Sequence, residues 1–130
     1  MFDWYIPDPP LHCPVCGAPL NEWQGKDGPR ARFVWRQGQA APVDQCVGDE
    51  IKAKIEDRYD ERLPERFEIY SDDCRCNRLV HAVGHCTDDV WTVTEILTPA
   101  NAVLYPQESP REFAQRTTVL RKWLEQARET

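Results

Sequence analysis

The sequence predicts an α+β fold, in which a small antiparallel sheet carries a split zinc-ribbon-like knuckle. Two short cysteine pairs, C-P-V-C at residues 13–16 and C-R-C at residues 74–76, are of the type that binds tetrahedral zinc. Val- and Thr-rich segments on both sides of Asp88 indicate a β-hairpin, and the capping box S-P-R-E at residues 109–112 indicates a C-terminal helix. The length of 130 residues fits one domain spanning residues 1–130.

The first ten residues are predicted to be irregular, because Pro7, Pro9 and Pro10 disfavour both helix and central strand. This segment also lacks the basic and apolar regions of a signal peptide, and no apolar run in the chain approaches the roughly 20 residues of a membrane span. We therefore expect a cytoplasmic protein that does not contact a membrane. Thiols stay reduced in that compartment, which favours metal binding over disulfide bonds.

A strand is predicted at residues 30–36, after a turn rich in Gly and Pro. Apolar and charged side chains alternate there, which is typical of a strand with one buried face. The predicted buried residues are Ala31, Phe33 and Trp35.

An acidic helix is predicted at residues 49–62, inserted between the two cysteine pairs. Its apolar side chains recur every four residues, at Ile51, Ile55 and Tyr59, and Pro64 ends the pattern.

The remaining elements follow the insertion. A short strand is predicted at residues 67–70, and the arms of the hairpin at residues 78–85 and 90–97. The C-terminal helix is predicted at residues 109–129. Its predicted buried stripe consists of Phe113, Leu120, Trp123 and Leu124.

The predicted metal ligands are the four thiols of Cys13, Cys16, Cys74 and Cys76. Gly17 favours the left-handed turn that directs backbone amides toward sulfur, and Asn77 is the residue that most readily replaces glycine in such a turn. Other candidates for a ligand position are Cys46, Cys86, His12, His81 and His85. Two histidines four positions apart on a strand are separated by about 13 Å, so His81 and His85 cannot share an ion if this segment is a strand.

Four thiolates would close the coordination sphere and make Zn²⁺ a structural cofactor. A catalytic alternative keeps three protein ligands, for example Cys13, Cys16 and Cys74, with His81 or His85 nearby. A thioredoxin-like redox role is disfavoured, since that motif opens a helix after a strand, whereas prolines flank this one.

The cysteine motifs occur in a longer pattern, C-P-V-C-G-A-P-L at residues 13–20, E-W-Q-G-K-D-G at residues 22–28 and C-R-C at residues 74–76. This pattern resembles a family of small, uncharacterised zinc-ribbon-like proteins of bacteria and phages, and the likeness covers residues 11–77. It implies a metal-stabilised fold and no settled activity. The chain departs from the family pattern at Asn77, where a glycine usually follows the second cysteine pair.

The net charge of -6 is concentrated in residues 44–73, which hold eleven acidic and five basic residues. Such a segment disfavours nucleic acid and would complement a basic protein partner. A small basic and aromatic surface at Arg30, Arg32 and Arg36 beside Trp35 would instead suit nucleic acid. We expect its arginines to pair with the acidic segment.

A second candidate binding site is the loop with Trp23, Gln24, Lys26 and Asp27, where polar side chains flank an aromatic ring. This loop would contact a ligand or a partner; alternatively, Trp23 packs on the knuckle and the polar groups satisfy local carbonyls. We found no G-x-S-x-G, phosphate-loop or H-E-x-x-H motif. The sequence therefore predicts a zinc-stabilised protein-interaction module, such as an inhibitor, immunity or regulatory protein. The alternatives are a metal-dependent enzyme with an open zinc site and a nucleic-acid-binding zinc ribbon.

Overall fold

The computed structural model describes residues 2–45, 61–72, 74, 75 and 79–128. Within these ranges the chain forms one helix and nine strands, so the α+β prediction is confirmed. The elements are β1 Asp3–Ile6, β2 Leu11–His12, β3 Pro19–Leu20, β4 Trp23–Gly25, β5 Phe33–Arg36, β6 Asp44–Gln45, β7 Arg66–Ser71, β8 Val80–Thr87, β9 Val90–Ile96 and α1 Pro110–Arg128.

Seven of the strands form one sheet in the order β6-β5-β1-β4-β7-β8-β9, while β2 and β3 form a separate hairpin. All neighbours in the large sheet are antiparallel except β1 and β5, which are parallel. The predicted small antiparallel sheet is instead a seven-stranded mixed sheet with one parallel pair. The parallel pair joins segments separated by the whole knuckle, and local sequence patterns carry no record of such pairing.

The N-terminal segment provides an interior strand of the sheet. Trp4 is the register partner of Val34 on one side and of Gln24 on the other, so β1 lies between β5 and β4. The prediction that residues 1–10 are irregular is wrong for Asp3–Ile6. The prolines that motivated it begin at residue 7, directly after the strand ends, where they cost no ladder hydrogen bond.

Asp3 fixes the start of this strand to the loop before β5. Its carboxylate is fully buried and accepts hydrogen bonds from the backbone amides of Arg30 (3.2 Å), Ala31 (2.9 Å) and Phe33 (3.1 Å) and from the indole of Trp35 (3.1 Å). The four donors satisfy a group that would otherwise be costly to bury. They also hold a loop in which Arg30 and Arg32 adopt positive φ angles of 58° and 59°.

The sheet curls until its two ends meet. The amide of Gly38, just after β5, donates to the carbonyl of Trp91 in β9 at 2.7 Å. The side chain of Gln37 reinforces this contact by donating to the Thr92 carbonyl at 2.9 Å and accepting from the Thr94 hydroxyl at 2.7 Å. The concave face therefore encloses the core.

Aromatic side chains dominate that core. Phe67 stacks on Tyr5 with ring centroids 5.4 Å apart and meets Trp91 edge-on at 5.2 Å. The ring lies against Gly84, its register partner in β8, so closely that a Cβ added there would be 2.2 Å from the ring. Glycine at this position makes room for the aromatic ring.

The predicted strand at residues 30–36 is shorter than expected, because β5 begins only at Phe33. Its predicted buried face is confirmed, since Ala31, Phe33 and Trp35 are all buried. The predicted hairpin is also confirmed as β8 and β9. Its turn places Asp88 and Asp89 at φ angles of 51° and 68°, as a tight two-residue hairpin turn requires.

The C-terminal helix is confirmed at Pro110–Arg128, and its capping residue acts as predicted: the Ser109 hydroxyl accepts a hydrogen bond from the Glu112 amide at 3.1 Å. Of the predicted stripe, only Trp123 is fully buried; Phe113, Leu120 and Leu124 are half-buried. The predicted acidic helix at residues 49–62 lies almost entirely outside the described residues.

Candidate metal centre

The first cysteine pair lies in the turn of the β2–β3 hairpin. The Cys13 amide donates to the Ala18 carbonyl at 2.9 Å, and the Gly17 amide donates to the Cys13 carbonyl at 2.9 Å. Gly17 has a φ of 72°, the left-handed conformation that the sequence predicts for it. The turn directs the Val15 amide toward the Cys13 sulfur at 3.4 Å, so the backbone is arranged to support a thiolate.

Cys74 brings the second segment to this turn. Its Sγ lies 3.0 Å from that of Cys13 and 3.3 Å from that of Cys16, and all three sulfurs lie within 4.8 Å of one another. A tetrahedral ion with metal–sulfur bonds of about 2.3 Å holds its sulfurs about 3.8 Å apart, so each sulfur needs only a small shift to bind one. The cluster is therefore able to hold a metal ion.

The environment of Cys16 favours its thiolate form. The Ala18 amide and the thiols of Cys74 and Cys13 stabilise negative charge on Cys16 and lower its pKa to about 6. Cys13 and Cys74 are only 2% and 4% exposed and belong to the hydrophobic core, whereas Cys16 is exposed. The site thus has a buried inner side and a solvent-facing rim.

Among the described residues, no other thiol or imidazole joins the three sulfurs. Cys86 lies on β8 at a β-bulge, and burial raises the pKa of its thiol. His85 faces Glu95 across the hairpin at 3.6 Å, and His12 is exposed on β2. Cys76, the fourth predicted ligand, lies outside the described residues, as does Cys46.

The structure separates the four residues of the candidate binding loop. Trp23 is fully buried, and its indole donates to the Leu20 carbonyl at 3.0 Å, so it packs behind the knuckle. Gln24 lies within β4, and Asp27 accepts a hydrogen bond from the Glu68 amide at 2.8 Å. Lys26 is exposed. Ligand or partner contact stays a prediction for the polar residues, while Trp23 can contribute only through packing.

The basic surface also differs from its prediction. Trp35 is buried and donates to Asp3, so its ring is not available for base stacking. Arg30, Arg32 and Arg36 are exposed. The acidic segment that we expect them to pair with lies mostly outside the described residues, and this pairing stays a prediction.

His81, a candidate metal ligand in the sequence, lies in the wall of a cavity between β8 and α1. Tyr105 and Arg116 share this cavity, and both are distant from His81 in the sequence. No local motif could have joined the three.

No family model, curated protein or solved structure is significantly similar to this chain. Within the described ranges, no helix is long and apolar enough to cross a membrane.

Proposed function

We propose that this chain is a protein-interaction module of the inhibitor, immunity or regulatory type, stabilised in the cytoplasm by one structural Zn²⁺. The observation that carries the proposal is the meeting of three thiols from two segments, with Cys74 lying 58 residues after Cys16. An ion at this point closes a long loop and ties the knuckle to the sheet, so that binding free energy becomes folding free energy.

The donor set supports zinc and a structural role. Soft thiolates select zinc over the hard cations Ca²⁺ and Mg²⁺. Two of the three sulfurs are buried in the core, where an ion would hold the packing of the knuckle in place. Cys76 follows Cys74 by two positions, and in the proposal it completes a closed four-thiolate site.

Metal stoichiometry tests the structural part of this proposal. We expect native mass spectrometry of the full chain to find one zinc ion, and Cys13→Ser or Cys74→Ser to abolish it. Cys86→Ser is the matched control, because this free thiol lies outside the cluster. Zinc retained in both cluster variants would contradict the site.

A metal-dependent enzyme is the second candidate, and the exposure of Cys16 favours it, because the fourth coordination position would face solvent. The discriminating variant is Cys76→Ser. In a closed site it weakens zinc binding as strongly as Cys74→Ser does. In an open site it leaves zinc in place, and the bound water becomes the candidate nucleophile.

The interaction role is supported by charge. Acidic residues outnumber basic ones in residues 44–73, and Glu65 and Asp72 in this segment are exposed. We propose a partner with a basic surface, because complementary charge accelerates association.

Co-purification from source cells followed by native mass spectrometry tests this role. We expect one stoichiometric basic protein, with an association rate that falls as ionic strength rises. The double variant Glu65→Gln, Asp72→Asn should slow association, whereas Arg111→Gln on exposed α1 should not. A zinc-bound chain that is recovered without any protein partner would count against the proposal.

A further inference from the structure

A cavity of about 280 Å³ lies between helix α1 and the sheet. Most of its wall is apolar and is formed by Leu79, Leu97, Val119, Leu120 and Trp123. Leu79 and Val119 are 49% and 63% exposed, so they stand at the opening of the cavity. Concave apolar sites of this kind, with a few convergent polar groups, are the usual form of small-molecule sites.

The polar end of the cavity contains a fixed guanidinium. Arg116 donates through Nε and one terminal nitrogen to the Glu108 carboxylate at 2.9 and 3.0 Å, and to the Val103 carbonyl at 2.7 Å. Its guanidinium also lies over the Tyr105 ring, 4.2 Å from the centroid. The other terminal nitrogen, Nη1, donates to no group in the described part of the chain. Its two N–H groups are therefore available to a ligand acceptor.

His81 lies at the same end. Neither of its ring nitrogens is hydrogen-bonded to a described residue, although its ring packs beside Tyr70. Burial lowers the pKa of His81, with Glu68 and Arg116 as the nearby charges, and the ring is neutral at neutral pH. A neutral imidazole offers one donor and one acceptor.

A second cavity of about 260 Å³ adjoins the first and shares His81 and Tyr105 in its wall. Lys26 adds a positive charge there. The carboxylates in this wall are already engaged: Asp27 accepts from the Glu68 amide at 2.8 Å, and Glu68 accepts from Tyr105 at 2.7 Å and from Arg66 at 3.2 Å. Both carboxylates in this wall are thus held by protein donors, and Arg116 Nη1 and Lys26 are donors available near His81.

We propose that the cavity between α1 and the sheet binds a small amphipathic carboxylate, whose carboxylate accepts hydrogen bonds from Arg116 Nη1 and His81. Its hydrocarbon body lies against Leu97, Leu120 and Trp123. Arginine pairs with carboxylates through charge-assisted hydrogen bonds and repels amines. The first cavity has the volume of about nine liquid waters, which suits a ligand of roughly ten non-hydrogen atoms.

Octanoate and octylamine are the probes, because they have nearly the same size and opposite charge. In isothermal titration calorimetry with the full metal-loaded chain, we expect octanoate to bind at least tenfold more tightly than octylamine. Equal affinities, or no heat from octanoate at millimolar concentration, would overturn the proposal.

Two variants test the position of the site. His81→Phe keeps an aromatic ring but removes the nitrogens that would bond the ligand carboxylate. It should weaken octanoate binding about tenfold and leave octylamine binding unchanged. Val119→Glu places negative charge at the opening without disturbing a buried contact, and should weaken octanoate binding by about tenfold or more.

Gln126→Glu is the matched control, since it adds the same charge at an exposed position of α1 that does not line the cavity. It should leave octanoate affinity unchanged. Loss of binding in Gln126→Glu equal to that in Val119→Glu, or unchanged binding in Val119→Glu, would show that octanoate binds elsewhere and would overturn the proposal. The Val119 comparison stands even if His81→Phe fails to fold.

Discussion

The cysteine knuckle, formed by the β2–β3 hairpin and its turn, and the curled sheet reach ordered structures by different means. In the knuckle, a two-stranded hairpin of four paired residues meets the segment of Cys74 at a cluster of three sulfurs, with one glycine in the left-handed conformation. In the sheet, order comes from a buried carboxylate that accepts four hydrogen bonds and from aromatic rings in close contact. The knuckle depends on its sulfur donors and on one backbone angle, whereas the sheet depends on buried hydrogen bonds and on packing.

The two regions resist substitution for different reasons. A side chain added in the knuckle at Gly17 meets no atom within 4 Å, so only its backbone conformation resists change. A side chain added in the sheet at Gly84 collides with Phe67 at 2.2 Å. Glycine serves conformational freedom in the first region and close packing in the second.

The largest effect is expected at Asp3, where the sheet can be broken without touching the sulfurs. Asp3→Ala leaves four buried donors without their acceptor and should lower the free energy of unfolding by about 4 kcal/mol in guanidinium titrations. Asp3→Asn retains one oxygen and should cost roughly half as much. Exposed Asp8→Ala is the control. Both Asp3 variants, while folded, should still bind one zinc ion; a loss below about 1 kcal/mol for Asp3→Ala would contradict this account.

The next effect is expected at Gly84. Because Phe67 is fully buried between Tyr5 and Trp91, its ring cannot withdraw from an added methyl group. Gly84→Ala should therefore cost about 3 kcal/mol, measured by the same denaturation experiment. The double variant Gly84→Ala, Phe67→Leu should recover part of that loss, and additive costs would argue against this steric cause.

A smaller loss of stability is expected at Gly17 in the knuckle than at Gly84 in the sheet. Gly17→Ala should cost about 1–2 kcal/mol, the strain of a left-handed alanine. Gly17→Asn should cost less, since asparagine tolerates this conformation. The loss should appear as faster amide exchange confined to residues 11–20, with β7 to β9 unchanged. A global loss of protection would mean that the knuckle and the sheet are not separate in stability.

Sequence patterns predicted the regions whose signals are local. C-P-V-C-G places a left-handed turn under two sulfurs, Asp88-Asp89 marks the hairpin turn, and the capping residue Ser109 marks the start of α1. The position of Cys74 was predictable because metal chemistry requires partners for the first cysteine pair.

The missed features depend on distant partners. Asp3 is an ordinary acidic residue until the loop from Arg30 to Phe33 folds onto it. In the same way, β1 becomes an interior strand only because β5 returns alongside it in parallel. Trp23 stands among polar residues that suggest a binding loop, yet strand alternation turns it into the core.

X-ray absorption at the zinc edge of the metal-loaded full chain tests the central claim most directly, since it reports the atoms bound to the ion. For the proposed four-thiolate site we expect four sulfur scatterers at about 2.3 Å and no nitrogen or oxygen bound to the zinc. A shell made of nitrogen and oxygen alone would contradict it, because the ion would then be bound away from Cys13, Cys16 and Cys74.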